Sequence, residues 1–395
     1  MSGTGAPASA RAGWRGTETI LLYVMYLIGS WGINGIGAVL LPLQTELDVA
    51  RADVALYPTL YSSGLVAVGL AGGSLVRRIG SHRSLVLAMV LTLVGIGLMA
   101  VPSQVVIGLG AFVFGVGGAF VTLVMPVRAG ALHGARAGRV MTEANGVGSA
   151  GAIVAPLVVA AALALSLGWR VGYVVPIAVG AAAVLVALAR PSSHSPTPRE
   201  ALPADAEARL PLRALLGRWA DIPLCVGAEF SLVFWAAAAW SEWHALSASG
   251  AAISVAVFLS GLALGRFAGS PLMDRHPPRH IVLAGAGVAL VGFALFWSLP
   301  VVWGSAAGLF IAGMGIALLF PASLTRLIRI DPSDRERASQ LSVLGLGAAV
   351  ALAPLVLAVV ADWVGIRWAY LMVPAFLVVL VAKNLRPGRG DHEPA

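Results

Sequence analysis

The sequence predicts an all-α membrane protein in which twelve transmembrane helices form two pseudo-symmetric six-helix bundles. The 395 residues are 58% hydrophobic and only 11% charged, and the mean hydropathy is +0.88. A soluble domain of this size would lack the polar surface it needs. The second half of the chain also repeats the first, since Ala155-Pro156-Leu157-Val158 aligns with Ala353-Pro354-Leu355-Val356. Two similar membrane bundles joined in tandem produce such a repeat.

Other positions follow nearly the same register along the two halves. They pair Gly115 with Gly313, Arg128 with Arg326, Arg139 with Arg337 and Pro176 with Pro374. Two similar bundles that face each other can rock about a site between them. The repeat therefore predicts a transporter as well as a fold.

Twelve apolar stretches are each about 20 residues long, the length that crosses a bilayer as a helix. In the first half they run over residues 19–43, 54–76, 84–102, 104–127, 140–166 and 171–190. In the second half they run over residues 219–245, 251–273, 280–299, 302–325, 338–361 and 368–385. Helices are expected because open strands would leave backbone groups unpaired in lipid.

The basic residues predict the orientation of these spans. Arginine and lysine cluster at alternate loops and ends, and only Arg51, Arg170 and Arg367 fall on the opposite side. Positively charged loops stay in the cytoplasm, so both termini are expected there, in a multi-pass protein of the cell membrane. The formal net charge of +8 is then a signal of topology, and nucleic acid is not an expected partner. A monomer in the lipid bilayer is expected.

Five segments follow from the spans and from composition. They are a cytoplasmic tail over residues 1–18, a six-helix bundle over 19–190, a cytoplasmic linker over 191–217, a second bundle over 218–386 and a tail over 387–395. The linker is rich in Pro, Ser, Ala and charge and lacks apolar periodicity.

The turns after the second and eighth spans carry a recognisable motif. Gly73-Ser-Leu-Val-Arg-Arg-Ile-Gly80-Ser-His-Arg83 resembles the major facilitator superfamily motif Gly-x-Leu-Ala-Asp-Arg-x-Gly-Arg-Lys. Its repeat partner is Gly269-Ser-Pro-Leu-Met-Asp274-Arg275. With twelve spans and a central linker, the resemblance covers essentially the whole chain. It implies a secondary transporter that works by alternating access.

The chain departs from this motif in the first loop, where Arg77 replaces the family's acidic residue and the second loop keeps Asp274. The resemblance implies that Asp274 helps to hold one state by pairing with Arg326, Arg335 or Arg337. Glu143 with Arg128 or Arg139 is the expected substitute in the first half. The alternative is that these charges are solvated loop residues. The expected gating residues are Arg77, Arg78, Arg128, Arg139, Glu143, Asp274, Arg275, Arg326 and Arg337.

The subfamily stays open between two branches. The fourth span, from Ile107 to Met125, is uncharged and lacks the buried Arg of proton antiporters, although Ala155-Pro156 loosely resembles their fifth-span motif. Gly265-Arg266-Phe267-Ala268-Gly269 resembles the eighth span of sugar-porter branches. Efflux of a drug-like compound or metabolite is the first expectation. Import of a sugar or small metabolite is the second, and a non-transporting sensor of the same fold is the third.

Glu229 and Arg266 are ionisable residues inside predicted spans, where charge is costly and usually functional. Each lies eight residues from an acidic residue at its span end, Asp221 and Asp274, which is about 12 Å along a helix. Equal depth on consecutive helices predicts that an ion pair can form. Glu229 is the candidate for proton coupling, since an isolated carboxyl in an apolar cavity favours its neutral form. For Arg266, a permanent brace between helices is the alternative.

A cavity for a partly apolar molecule needs aromatic side chains with a few polar groups. The candidates for substrate binding are Asn34, Tyr61, Glu229, Trp235 and Arg266. Tyr57, Trp240 and Trp243 are instead assigned to the aromatic belt at the membrane interface.

The sequence lacks two kinds of motif that would indicate an enzyme or a metal site. It contains no phosphate-binding Gly-Lys-Ser/Thr loop and no His and Cys cluster with metal-ligand spacing. We therefore expect no cofactor, no metal and no enzymatic activity, and a small-molecule substrate moved with protons.

Overall fold

The structure, a computed structural model, describes residues 16–189, 212–330 and 335–385, and all regular structure in these ranges is helical. The first half contains α1 (Thr17–Leu47), α2 (Arg51–Ile79), α3 (Ser81–Met99), α4 (Gln104–His133), α5 (Ala137–Ala164), α6 (Trp169–Val174) and α7 (Pro176–Leu188). The second half contains α8 (Leu212–Trp219), α9 (Asp221–His244), α10 (Ala248–Arg275), α11 (Pro278–Ser298), α12 (Val302–Ile316), α13 (Leu319–Ile330), α14 (Arg335–Val364), α15 (Ile366–Ala369) and α16 (Met372–Leu385).

Twelve membrane-crossing segments result, as the sequence predicts. Within the described residues, eleven are long and apolar enough to span a bilayer. The twelfth is α2, whose 29 residues extend about 43 Å and pack along α4 and α14. Four of the described spans join two helices in series, namely α6 with α7, the end of α8 with α9, α12 with α13, and α15 with α16. The predicted linker, 191–217, contains the start of α8. Its residues 191–211 lie outside the described ranges, as do residues 1–15 and 386–395.

Equivalent hydrogen bonds recur in the two halves and demonstrate the pseudo-symmetry. The hydroxyl of Tyr173 donates to the carbonyl of Gly32 at 3.1 Å, and that of Tyr370 donates to Ser231 at 3.4 Å. Each tyrosine follows a loop glycine with positive φ, 81° at Gly168 and 83° at Gly365. Such φ values favour glycine. The repeat in sequence is therefore a repeat in backbone geometry.

Glycines bring the helices of each half into backbone contact. A Cβ on Gly115 of α4 would lie 1.9 Å from the carbonyl oxygen of Tyr61 on α2. In the second half, a Cβ on Gly261 of α10 would lie 2.1 Å from the carbonyl oxygen of Phe310 on α12. Only a residue without Cβ permits these crossings, as in other membrane bundles.

The two halves meet along α1 with α9, α2 with α14, and α5 with α10. We call the end of the bundle where α1 and α9 begin the terminal face. We call the opposite end, where α1 ends and α2 begins, the far face. Every span runs from one of these faces to the other, and the candidate site lies between them.

Candidate functional site

Glu229 and Arg266 form an ion pair inside the spans of the second half. Arg266 Nη2 lies 3.4 Å from Glu229 Oε1. The ion pair that the equal depth of these two residues in their spans allows is therefore present. The Glu229 side chain is only 12% exposed, whereas that of Arg266 is 48% exposed. The carboxylate is thus largely enclosed by protein, while much of the guanidinium faces open space.

The geometry of this pair differs from that of a permanent brace. Two guanidinium nitrogens of Arg170 donate to the carboxylate of Glu46, at 2.7 and 2.6 Å. Such bidentate ion pairs are stronger than pairs joined by a single hydrogen bond. Arg266 makes a single, longer contact and keeps its other donors available. A solute with an acceptor atom can therefore compete for Arg266 at low cost.

This charge pair belongs to one half only. The Tyr173 and Tyr370 hydrogen bonds align Gly32 with Ser231, and Gly64 aligns with Gly261 in the repeat. In that register the equivalent of Glu229 is Ser30, and the equivalent of Arg266 is Gly69. The half-chain repeat thus carries the scaffold, and this ion pair of the second bundle has no equivalent in the first.

The other three predicted substrate-binding residues do not join the pair. Asn34 is half-buried and donates to Ser30 O within its own helix at 2.9 Å. Tyr61 is 8% exposed and packs on Phe114 with ring centroids 4.8 Å apart. Trp235 is fully buried, and its indole donates to a backbone carbonyl of α14 at 3.0 Å. Tyr61 and Trp235 are therefore core residues in this state and do not line an open cavity.

The aromatic residues that were assigned to the membrane interface are mostly buried. Tyr57 and Trp240 are 5% and 3% exposed, and the Trp240 indole donates to Ser305 Oγ at 3.0 Å. Trp243 is half-buried in an aromatic cluster. The assignment of Tyr57 and Trp240 to the interface is wrong, because both pack inside the bundle. Within the described ranges, the highly exposed tryptophans are Trp303, Trp363 and Trp368.

Two buried arginines brace the terminal face, one in each half. Arg128, at the end of α4, pairs with Glu18 at the start of α1. Arg326, at its repeat position, contacts Asp221 at the start of α9 at 3.4 Å. Lys383 also contacts Asp221, at 2.8 Å. Each pair joins helices of the same half, so it stays intact when the halves move against each other.

These braces correct the predicted gating pairs. Arg326 pairs with Asp221 and not with Asp274, which is exposed beside the exposed Arg275. Arg128 pairs with Glu18 and not with Glu143. Glu143 contacts Arg139, the other partner predicted for it, at 3.1 Å, and it accepts a hydrogen bond from the Tyr23 hydroxyl at 2.5 Å. Of the remaining candidates, Arg78 is exposed, and the side chains of Arg77, Arg335 and Arg337 lie outside the described residues.

Among the described residues, charged side chains join the two halves at the far face. Arg51 Nη2 of α2 contacts Glu242 Oε2 of α9 at 2.5 Å. The carboxylate of Asp362 on α14 accepts the backbone N–H groups of Arg51 and Ala52, at 3.3 and 3.1 Å. We call Arg51, Ala52, Glu242 and Asp362 the far-face cluster. In the sequence, Arg51 stands out only as one of the few basic residues on that side, and this isolation was the available signal.

Further along α2 the two halves remain in contact. Thr59 Oγ1 donates to the carbonyl of Ala351 on α14 at 2.7 Å. On the other side of the interface, a Cβ on Gly37 of α1 would lie 2.1 Å from the carbonyl oxygen of Val233 on α9. The far half of the bundle interface is therefore closed in this structure.

Cys225, the single cysteine of the chain, is buried in α9 and donates to Ile222 O at 3.2 Å. Among the residues that the structure describes, no three His, Cys, Asp or Glu side chains group as metal ligands.

Comparisons with known proteins agree with this architecture. The bacterial homologue of the human lysosomal transporter Spinster, inward-facing and unoccupied, superposes with a TM-score of 0.78 at 15% identity, over 95% of this chain and 97% of that one. The nucleoside transporter NupG gives 0.74 at 14%, over 94% and 98%. The transporter FucP in the outward conformation gives 0.59 at 15%, over 93% and 98%.

A comparison with curated proteins finds no match in sequence. The profile of the Major Facilitator Superfamily matches residues 21–243 and 222–393, which together cover nearly the whole chain. The chain therefore belongs to the Major Facilitator Superfamily and is a multi-pass membrane transporter.

Proposed function

We propose that the chain exports a small organic solute, a drug-like compound or metabolite, across the cytoplasmic membrane by proton-coupled alternating access. In this proposal both termini and the terminal face lie in the cytoplasm. The observation that carries it is the contact between Glu229 and Arg266 inside the second bundle. A carboxylate inside a membrane span raises the free energy of the folded protein unless it is paired, so such residues are usually kept for a function in the transport cycle.

The pair supplies a means of coupling. While Arg266 stays within 3.4 Å, the positive charge favours the ionised carboxylate of Glu229. On the return step, without solute, Arg266 moves away and Glu229 is left in apolar surroundings, where the neutral acid is the more stable form. The carboxyl then carries a proton inward and releases it in the cytoplasm when Arg266 returns. Solute and proton thereby cross on opposite steps, as export driven by an inward proton gradient requires.

The far-face cluster supports alternating access. It closes one side of the bundle interface by contacts between the halves, while the terminal braces stay within each half. A rocking motion can therefore open the far face without breaking either brace. The greater similarity in shape to an inward-facing transporter than to an outward one also supports a state that opens toward the terminal face.

Uptake of a polar metabolite is the second candidate. The half-exposed guanidinium of Arg266 offers several N–H donors, which suit hydroxyl and carboxylate acceptors. The sugar-porter-like sequence around Gly265 and Gly269 also favours uptake of a polar metabolite.

The first experiment identifies a solute and then measures its movement. A thermal-shift screen of purified protein against antibiotics, sugars and organic acids finds a ligand, which at 100 times its Kd stabilises the native state by about 2.7 kcal/mol. In proteoliposomes, Glu229→Gln is expected to abolish flux of that solute driven by a pH gradient and to spare counterflow exchange. Asp48→Asn, an exposed carboxylate at the end of α1, is the matched control and should leave both intact.

Three results contradict the proposal. Unchanged gradient-driven flux in Glu229→Gln removes Glu229 as the coupling group. Solute accumulation in the compartment that represents the cytoplasm replaces export with uptake. Binding without counterflow in the wild-type chain indicates a sensor and not a transporter.

A further inference from the structure

A crevice opens between α10 and α11, close to the terminal face. Its volume is about 480 Å³, within the range of small-molecule sites. Both helices pack against α12 but make few contacts with each other, so the gap between them is left unfilled. Its lining includes four glycines, Gly265 and Gly269 on α10, Gly285 on α11 and Gly315 on α12, beside larger side chains such as Met314 and Leu318.

The rim of this crevice faces the bilayer. Leu272 and Val288, which line it, are 45% and 44% exposed. Phe267, beside it on α10, is 84% exposed. Large apolar side chains that are exposed on a membrane-spanning helix contact lipid. A molecule that reaches this crevice therefore arrives from the membrane.

The mouth of the crevice is polar and basic. His276, at the end of α10, and His280, in the first turn of α11, both line it. The exposed Arg275 precedes them. Arg279 is already occupied, because its guanidinium donates to the carbonyls of Asn384 and Leu385 at 2.8 and 2.6 Å. Neither Arg275 nor its acidic neighbour Asp274 lines the crevice, and both lie exposed beside its mouth.

We infer that this crevice binds an anionic glycerophospholipid of the leaflet at the terminal face. One acyl chain lies along the lining of the crevice between α10 and α11. The phosphate lies at the mouth, where imidazole N–H groups donate to it and Arg275 complements its charge. Apolar lining, lateral access from the bilayer and a basic mouth at the membrane surface together fit this class of lipid.

Native mass spectrometry of delipidated protein tests this inference without any transport assay. The protein is titrated with phosphatidylglycerol and with phosphatidylcholine of the same acyl chains. We expect phosphatidylglycerol to bind about tenfold more tightly at the first site. The double variant His276→Glu and His280→Glu should remove this preference. The control, Arg136→Glu, alters the charge equally at an exposed terminal-face position of the first half and should preserve it.

A second pair of variants tests where the acyl chain lies. Ala284→Phe places a large side chain in the crevice at an exposed position, which spares the core, and should weaken binding of both lipids at the first site. Ala182→Phe, at an exposed position of α7, should not. The inference is overturned by equal affinity of the wild-type protein for the two lipids, by a preference that survives the histidine changes or is lost equally in Arg136→Glu, or by unchanged binding in Ala284→Phe.

Discussion

Asp362→Ala is expected to open the far face of the transporter. Asp362 belongs to α14 of the second half, but it accepts the N–H groups of Arg51 and Ala52 at the start of α2 in the first half. The residue before α2 is Ala50, whose side chain cannot act as an N-cap. Asp362 therefore caps a helix of the other bundle, and only while the far face is closed.

The magnitude follows from the two hydrogen bonds. Loss of a helix N-cap costs about 1 kcal/mol, with a range of about 0.5–2, and a carboxylate at a helix N-terminus adds about 0.3–1 kcal/mol. Asp362 is exposed, so water screens part of this interaction. We expect a net loss of about 1–2 kcal/mol in the closed state alone. That loss shifts the equilibrium toward the far-open state by about 5- to 30-fold.

Alkylation of a single introduced thiol measures this shift. Ser62, fully buried on the side of α2 that carries Thr59, is replaced by cysteine in a Cys225→Ser background. An impermeant thiol reagent added to intact cells then reacts at a rate proportional to the far-open population. Leu167→Cys, exposed at the far face, gives the rate of unhindered labelling. We expect the rate at position 62 to rise in Asp362→Ala by the same factor.

Ser247→Ala is the matched control. Ser247 Oγ accepts the N–H of Gly250 at 3.3 Å and caps α10, the repeat equivalent of α2, from within the same half. Its loss should lower thermal stability and leave the labelling rate unchanged. An unchanged rate in Asp362→Ala, or an equal rise in Ser247→Ala, would refute the role of the far-face cluster.

Three further predictions concern packing and the braces. Gly37→Ala adds a Cβ that meets the α9 backbone and should raise the far-face labelling rate, whereas Gly29→Ala, with no atom within 4 Å of its Cβ, should not. Asp221→Ala removes the buried carboxylate that contacts both Arg326 and Lys383 and should lower the stability to thermal or denaturant unfolding by about 3 kcal/mol. Asp274→Ala, at an exposed position, should change that stability by less than about 0.5 kcal/mol, and a large loss there would indicate a structural partner.

Helical spacing was sufficient to predict the contact between Glu229 and Arg266. Glu229 and Arg266 lie on consecutive helices, and their depths follow from counting residues, so the sequence was sufficient to place them near each other. Tyr61 and Trp235 could not be placed in this way, because the sequence does not specify which face of a helix packs against a neighbouring helix and which face lines a cavity. Both turned out to lie in the core.

The sequence by itself determined the class of protein, the number of spans and the two-fold repeat, because hydropathy, charge at the loops and periodicity are local properties of the chain. Only the tertiary structure decided which charges meet. Asp362 and Arg51 are in contact although they are 311 positions apart. Arg326 contacts Asp221 and not Asp274 because α9 begins beside the end of α13. Such pairs depend on how helices dock, and no pattern along one helix specifies its distant partner.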